Sequence, residues 1–316
     1  MSNGEGKNGK FDGITYLYIR THPADDGNAP LAPGLEFWIS PDITIIQPGG
    51  MHGYEAIAEK ENQVEVIVTN AGGIPAVDAY VEVFLADPST AFSPATATPL
   101  GSDFISVDGY NTKTFTLSWI PQIDEAGHRC LLARVCLSMP PDCYSNPAIF
   151  DVVGDRHVAQ RNINVIKMTE KSLSFGFLAV NPLPVQEEFL VTATELKVGR
   201  KMNLIRTALG CDFAQFAAAP LQDVRLKLSE PLVWEGGRPA KELKTPLTGL
   251  FRKPVELPSG LRGKVVMAPG EVRPGVITLS RNPEVRPGDI HVVQVTQIQA
   301  KTRRTIGGLW LIIQPQ

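Results

Sequence analysis

Histidine, cysteine and carboxylate side chains are the first places to look for chemistry in this chain. Its five histidines are His22, His52, His128, His157 and His291, and none stands in an HExxH pattern or beside a cysteine pair at zinc-ligand spacing. No GxSxG, GxxxxGK(S/T) or GxGxxG before a helix is present either. We therefore expect a protein that is not an enzyme and that uses no metal and no cofactor. A triad dispersed along the chain would escape this search.

One short segment groups carboxylates with a glycine, as a calcium-binding loop does. It runs from Ala24 to Asn28 and contains Asp25, Asp26 and Gly27. The spaced ligands and the distal glutamate of an EF-hand are missing. We expect a solvated turn here, and a calcium loop is the alternative.

Basic side chains are the other candidates, because lysine and arginine bind anions. They fall around a helical segment and in loops of the second half of the chain, and comprise Arg200, Lys201, Arg206, Arg252, Lys253, Arg262, Lys264, Lys301, Arg303 and Arg304. Gathered on one face, they would form a site for an anion or an acidic protein partner. Aromatic residues are not interleaved with them, so we do not expect a nucleic-acid partner. Scattered, solvated charges are the alternative.

The two halves of the chain carry opposite charge. Residues 1–166 contain nine lysines and arginines against twenty aspartates and glutamates, a net charge of −11. Residues 167–316 contain 21 against 13, a net charge of +8. Such a field bears on association and on the choice of charged partners. We expect either self-association, in which the acidic half of one copy meets the basic half of the next, or attraction between the halves within one chain.

Four cysteines are too few to form a disulfide scaffold. Cys130 and Cys136 are expected on one strand, roughly 20 Å apart, so they cannot bond to each other. Cys136 and Cys143 flank a short segment with two prolines and would meet across a turn. Reduced and mostly buried thiols are the alternative to that bond.

The elements that would position these side chains are strands. In the first half of the chain, apolar residues alternate with polar ones along residues 63–69, 78–85 and 112–119, and turn residues or prolines end each run. This period of two is typical of half-buried strands in antiparallel sheets. Residues 158–166 would form the closing strand of the same sandwich.

The second half repeats this plan less regularly. Residues 172–177, 188–194, 224–228 and 275–279 alternate, and residues 307–313 would close the sheet at the C-terminus. Residues 201–219 have helical spacing instead. A helix that caps the sandwich and a helix that binds a partner are both compatible with this spacing.

These patterns predict an all-β fold of two tandem antiparallel β-sandwiches with a short helical insertion in the second. A length of 316 residues also exceeds the usual size of a single core. We divide the chain into a flexible tail at 1–10, an acidic sandwich at 11–166, and a basic sandwich at 167–316 with a helical segment near 201–219.

Particular runs of the first half carry a family resemblance. Pro41 to Ile45, Val64 to Gly72 and the alternating run that ends at Leu85 resemble bacterial immunoglobulin-like domains that are related to cell-adhesion modules. The resemblance covers about residues 11–166. Asp124, His128 and Cys130 also have the spacing of the corner that leads into strand F of immunoglobulin domains. This resemblance implies immunoglobulin-like sandwiches and a structural role for His128, which stands where a tyrosine usually bonds the backbone.

Sandwiches of this kind serve as spacers, adhesins and accessory domains, so the fold alone does not define a function. We predict a non-catalytic structural or interaction protein, a subunit of a larger bacterial or phage-like assembly, which binds protein partners or itself. An adhesin or carbohydrate-binding accessory module is the alternative. For that alternative, Trp38 and Trp234 are candidate exposed aromatics, although packing in a core or between domains would also explain them.

The sequence also bears on where the protein resides. No run of about 18 apolar residues predicts a membrane-spanning helix. The first ten residues have no apolar run behind their charges, so no secretory signal is visible. We expect the protein in the cytoplasm, or exported without a cleavable leader.

Overall fold

A computed structural model defines the fold of most of the chain. It describes residues 11–53, 55–94, 97–123, 129–196, 202–209, 217, 221–229, 234–235, 238–239, 262–282, 284–285 and 289–315. The predicted tail at 1–10 lies outside these residues.

Strands dominate the described chain. They are β1 (Leu17–Tyr18), β2 (Ile43–Gln47), β3 (Met51–Gly53), β4 (Asn62–Asn70), β5 (Ala76–Ala86), β6 (Thr98–Val107), β7 (Asn111–Trp119), β8 (Cys130–Leu137), β9 (Asp142–Cys143), β10 (Val158–Arg161), β11 (Ile163–Met168), β12 (Ser172–Val180), β13 (Glu187–Glu195), β14 (Asp223–Leu228), β15 (Trp234–Glu235), β16 (Arg238–Pro239), β17 (Arg262–Met267), β18 (Val272–Ser280), β19 (His291–Gln299) and β20 (Thr305–Pro315). One helix, α1 (Met202–Leu209), lies within the segment predicted to be helical.

The first half forms two facing sheets. In sheet I, β4 pairs with β1, β2 and β7, and β3 pairs with β2. In sheet II the order is β10-β8-β5-β6, with β9 beside β8. The first core lies between these sheets, because alternate residues such as Val64, Val66 and Val68 of β4 and Val81 and Val83 of β5 are fully buried.

The second half forms two further sheets. In sheet III, β18 lies between β12 and β14, and in sheet IV the order is β11-β20-β19-β13-β17. The second core lies between them and includes Phe177 of β12, Phe189 of β13 and Val295 of β19. Among the described strands, β15 and β16 pair only with each other.

The predicted all-β class of antiparallel sandwiches is confirmed, because nearly all strand pairs in the described chain are antiparallel. One pair departs from this rule: β11 runs parallel to β20, with Ile163 opposite Trp310. Residues 158–166 are therefore not one closing strand. Their first part, β10, pairs with β8 in sheet II, and β11 belongs to sheet IV.

The change of sheet falls at Asn162, four residues before the boundary predicted from the sequence. The division into two domains itself stays a prediction. Among the described helical residues, no segment is long and apolar enough to cross a membrane.

Candidate functional site

The chain passes from the first sandwich to the second at Asn162. The backbone of Asn162 is hydrogen-bonded there to two other segments of the chain. The Asn162 amide donates to the carbonyl of Trp38 at 2.8 Å, and the Trp310 amide donates to the carbonyl of Asn162 at 3.1 Å. The segment around Trp38 thus pairs with the end of β10, and β20 begins its pairing with β11 one residue later. The chain thus leaves sheet II and enters sheet IV at this residue.

The Asn162 side chain bonds β20 a second time and holds two more segments. Its Nδ2 donates to the carbonyls of Ser89 at 2.6 Å and Gly308 at 2.9 Å. Its Oδ1 accepts from the Cys130 thiol at 2.5 Å. Asn162 is fully buried, so each of these polar groups needs its partner to offset the loss of water.

Two consecutive glycines of β20, Gly307 and Gly308, are in close contact with residues of the first sandwich. A Cβ on Gly307 would overlap the carbonyl oxygen of Thr90, and a Cβ on Gly308 would come within 2.7 Å of the Trp38 ring. Glycine inside a strand often marks such a close approach of another backbone. The pair at 307–308, which the sequence places in the closing strand, thus forms a docking slot.

The segment that enters this slot is fixed to the second sandwich by hydrogen bonds. The Thr90 amide donates to the carbonyl of Leu178 at 2.8 Å, and the Ser89 hydroxyl donates to the same oxygen at 2.9 Å. The Thr90 hydroxyl bonds Gln297 Oε1, and Gln297 Nε2 donates to the Val180 carbonyl at 2.9 Å. Thr90 and Gln297 are fully buried.

A third hydrophobic core surrounds this crossover and draws residues from both halves. From residues 1–166 it contains Phe37, Trp38, Ile39, Phe84, Ala86, Phe92, Cys130, Leu132, Phe150, Val152 and Val158, and from the second half it contains Ile205, Ile290, Val292, Trp310 and Ile312. We call this set the junction core. It packs the outer faces of sheets II and IV against each other.

A groove of about 1030 Å³ opens beside the junction core. One wall is the irregular segment 30–38, and its floor consists of Gln294, Thr296 and Ile298 of β19. Residues 302–305 of the β19–β20 turn and residues around Asp151 complete the rim. The Leu31 amide donates to the Val153 carbonyl at 2.8 Å and fixes the wall in place.

The polar groups of the groove are well defined. Trp310 Nε1 donates to Gln294 Oε1 at 3.2 Å, and since an indole nitrogen only donates, the Gln294 amide nitrogen faces away from Trp310. Trp38 is 3% exposed, and its Nε1 has no hydrogen-bond partner within the described part of the chain. Arg304 Nη2 lies 3.3 Å from Asp151 Oδ1 and links the two halves across the rim.

A buried charge cluster lies in the first sandwich, apart from the groove. His157 Nδ1 lies 2.8 Å from Asp155 Oδ1, and His157 Nε2 lies 2.8 Å from Asp142 Oδ1. Asp142 also pairs with Arg156 and accepts from the Leu17 amide at 2.6 Å. The cluster therefore ties the N-terminal strand β1 to the hairpin of β8 and β9.

The two carboxylates change the titration of His157. Burial by itself lowers the pKa of His157, but the hydrogen bonds to Asp142 and Asp155 outweigh burial and raise that pKa above its ordinary value. Burial raises the pKa of Asp155, but bonds from the His157 ring and the Ser145 amide bring it down to about 2. Below pH 6.5, a positive ring between negative carboxylates holds this region together.

Of the two alternatives for Cys136 and Cys143, the structure contains the disulfide and not the pair of reduced thiols. Cys136 and Cys143 form a disulfide across the β8–β9 turn. Cys130 lies at the other end of β8 and is free and buried, and burial raises the pKa of its thiol. Such a thiol is inert and serves here as a hydrogen-bond donor to Asn162.

The structure brings together only a few of the predicted basic residues. Lys301, Arg303 and Arg304 share the exposed β19–β20 turn at the groove rim. Lys264, on β17, instead pairs with Glu188 at 2.7 Å, and Arg206 lies half-buried on α1. The remaining five are Arg200, Lys201, Arg252 and Lys253, which lie outside the described residues, and Arg262, described only by its backbone in β17.

The other predicted site residues have mixed outcomes. Asp124 and His128 of the predicted corner lie outside the described residues, so the role of that corner stays a prediction. Trp38 is buried in the junction core, so the interpretation of Trp38 as an exposed aromatic is wrong. Trp234 lies in β15, with only its backbone described.

The segment at 24–28 forms hydrogen-bonded turns. Asp25 accepts from the Thr21 amide at 2.8 Å and from the Gly27 amide at 2.9 Å, and Asp26 accepts from the Asn28 side chain at 2.8 Å. Both carboxylates are used to shape the chain, as a turn requires.

Sequence reasoning missed the groove, the junction core and the charge cluster. The Asp-x-His spacing of Asp155 and His157 was a local signal for two of the four charged members of the cluster. Asp142 and the groove residue Gln294 carried no such signal, because their neighbours are distant in sequence.

Comparisons with known proteins add little to this geometry. No protein-family model matches the chain, and no curated protein matches it. Among solved structures, the chain is similar to the CARDB domain of a Pyrococcus furiosus protein in complex with di-metal ions, at 19% identity and a TM-score of 0.25, over 40% of this chain and 88% of that one. The N-terminal domain of PorA has 9% identity and a TM-score of 0.24, over 54% and 93% of the two chains.

A third similar structure is the CupB6 tip adhesin of Pseudomonas aeruginosa, at 8% identity and a TM-score of 0.22, over 81% of this chain and 91% of that one. The predicted immunoglobulin-like resemblance is thus present only as a weak resemblance between β-sandwiches. At these TM-scores, the three similarities carry no argument about function.

Proposed function

We propose that this protein is a non-catalytic structural or interaction protein, a subunit of a larger bacterial or phage-like assembly. Its two sandwiches act as one rigid body that presents an acidic surface and a basic surface. The observation that carries this proposal is the composition of the junction. Apolar side chains of the junction core and amide hydrogen bonds around Asn162 join the halves.

This composition leaves exposed charges of both halves outside the junction. The ion pair of Arg304 with Asp151 links the halves, but both side chains are well exposed, and such a pair contributes little. Lys301 and Arg303 are exposed in the same turn, and the first sandwich exposes carboxylates such as Asp103 and Asp108. We infer that the separated charges guide association with a second copy or with a charged protein partner.

Light scattering and native mass spectrometry at low and high salt test this proposal. We expect oligomers at low ionic strength that dissociate as salt screens the charges. The double variant Lys301→Glu and Arg303→Glu should abolish association, whereas Lys171→Glu, an exposed charge reversal in the β11–β12 turn, should weaken it less. A chain that stays monomeric at both salt concentrations and captures no partner would contradict the assembly.

The disulfide supports an exported location, because such bonds persist in oxidising compartments. Both cysteines lie in one tryptic peptide, residues 135–156. The protein is isolated from its native source, alkylated without reduction and digested. If the disulfide is formed, this peptide carries no alkyl groups and its mass is two hydrogen atoms below that of the reduced peptide. Full alkylation of both thiols would place the protein in a reducing compartment.

The alternative, a carbohydrate-binding adhesin, gains support only from the same disulfide. Flat aromatic platforms suit sugar rings, and Trp38 does not supply one, since it is buried in the junction core. We therefore place the interaction protein first.

A further inference from the structure

The groove beside the junction core has the size and rigidity of a ligand site. Its volume of about 1030 Å³ lies at the upper end of small-molecule sites. The floor belongs to β19, a strand paired on both sides in sheet IV, and the wall at 30–38 is fixed through Leu31 and Trp38. Little ordering would be needed on binding, which favours affinity.

The surface of the groove is apolar over much of its extent. Leu31, Pro33 and Leu35 line the wall, and Val153 and Ile298 face them from the rim and the floor. A ligand with an apolar body would remove this surface from water.

The polar groups left for a ligand are donors. The Gln294 amide nitrogen is turned away from Trp310, and no described side chain or carbonyl accepts a hydrogen bond from it. The indole N–H of Trp38, in the same lining, is buried and unpaired within the described chain. The exposed guanidinium groups of Arg303 and Arg304 stand at the rim.

The carboxylates of the lining are already engaged. Glu36 is 6% exposed, and its Oε2 lies 3.9 Å from His22 Nε2. Asp151 pairs with Arg304. An acceptor on the ligand thus meets the amide and guanidinium donors, and a cationic group would meet neither carboxylate without breaking an existing contact.

We propose that the groove binds a molecule with an apolar body and an oxygen acceptor, best a carboxylate, which the Gln294 amide and the rim arginines hold. A free organic acid and the C-terminus of a peptide share this chemistry. The inference does not depend on the proposed assembly, because small-molecule binding to the groove is measured separately from association, although Arg303 belongs to both surfaces.

Three probes with one apolar body test the preference for an acceptor: 3-phenylpropionate, 3-phenylpropanamide and 3-phenylpropylamine. Ligand-observed saturation-transfer NMR and titration calorimetry measure binding to the full chain. We expect the carboxylate to bind most tightly, the amide more weakly and the amine least. An acetylated dipeptide that ends in phenylalanine distinguishes the two sources, since it binds more tightly than 3-phenylpropionate only if the site takes a peptide terminus.

The variant Gln294→Glu removes the donor and keeps the oxygen that accepts from Trp310. It should weaken carboxylate binding by at least about tenfold. The control Gln222→Glu makes the same charge change at an exposed residue beside β14 and should leave binding unchanged. Equal binding of the amine and the carboxylate, no binding of any probe at about 10 mM, or equal effects of the two variants would each overturn the proposal.

Discussion

Replacing Gly307 with alanine should separate the two sandwiches at their docking slot. The new Cβ would overlap the Thr90 carbonyl, so the segment at 88–91 would have to withdraw by about 2 Å before the two atoms reached ordinary contact distance. The obstacle is backbone and cannot rotate away. The withdrawal would occur where Thr90 and Gln297 are fully buried.

The loss of stability follows from the hydrogen bonds that this movement breaks. The Thr90 amide bond to Leu178, the Ser89 hydroxyl bond to Leu178 and the Asn162 bond to Ser89 all depend on the position of the segment. Each contributes about 1 kcal/mol net, and buried groups left unpaired add to the loss. We expect the free energy of unfolding to fall by about 3–5 kcal/mol, a large fraction of the usual stability of a protein.

Urea denaturation followed by circular dichroism and tryptophan fluorescence measures this loss. The matched control is Gly13→Ala, because a Cβ at Gly13 meets no atom within 4 Å. That control should change the free energy of unfolding by less than about 0.5 kcal/mol. Equal midpoints for Gly307→Ala and the wild type would refute the close packing of the 88–91 segment on β20.

Four further predictions concern single interactions. Asn162→Ala should cost about 2–4 kcal/mol in urea denaturation, because it leaves two buried carbonyls without their donor, and a loss under 1 kcal/mol would contradict the role of this side chain. The pKa of Asp155 is about 2 in the fold, below its ordinary 3.8, so its ionised form contributes on the order of 2 kcal/mol above pH 3.8, which is lost as the pH falls through 2. Asp155→Asn should remove this acid dependence from pH-resolved unfolding curves. The raised pKa of His157 acts in the opposite direction: its contribution is present below pH 6.5 and is lost as the pH rises through the folded pKa, so His157→Gln should flatten the slope above pH 6.5. Removing the Cys136–Cys143 disulfide should lower the free energy of unfolding by about 2 kcal/mol. Reductant should therefore lower the thermal midpoint of the wild type, whereas reductant should not change the midpoint of the variant in which both cysteines are replaced by serine.

Strand positions followed from local patterns. The alternation at 63–69 and 78–85 predicted β4 and β5, since one face of each strand contacts the first core, although the end of β5 is buried on both faces. The helical spacing after residue 201 predicted α1 for the same reason. Each of these signals lies within about ten residues.

The candidate site was not predictable in this way. The sequence of residues 158–166 predicts one continuous strand. Alternation does not reveal that the chain leaves sheet II and enters sheet IV at Asn162. By sequence, Trp38 is equally compatible with an exposed aromatic and with a core residue, and only its burial in the junction core decides between them. The groove joins residues 30–38 to β19, segments more than 250 residues apart.

The amino-acid sequence by itself determined the strands, the turns and the opposite charges of the two halves, because side-chain polarity and backbone preference act between near neighbours. Only the tertiary structure decided the junction, the buried ion cluster around His157 and the groove. Those features depend on atoms that meet after long loops close, and each depends on shape and on hydrogen-bond geometry that residue type does not encode.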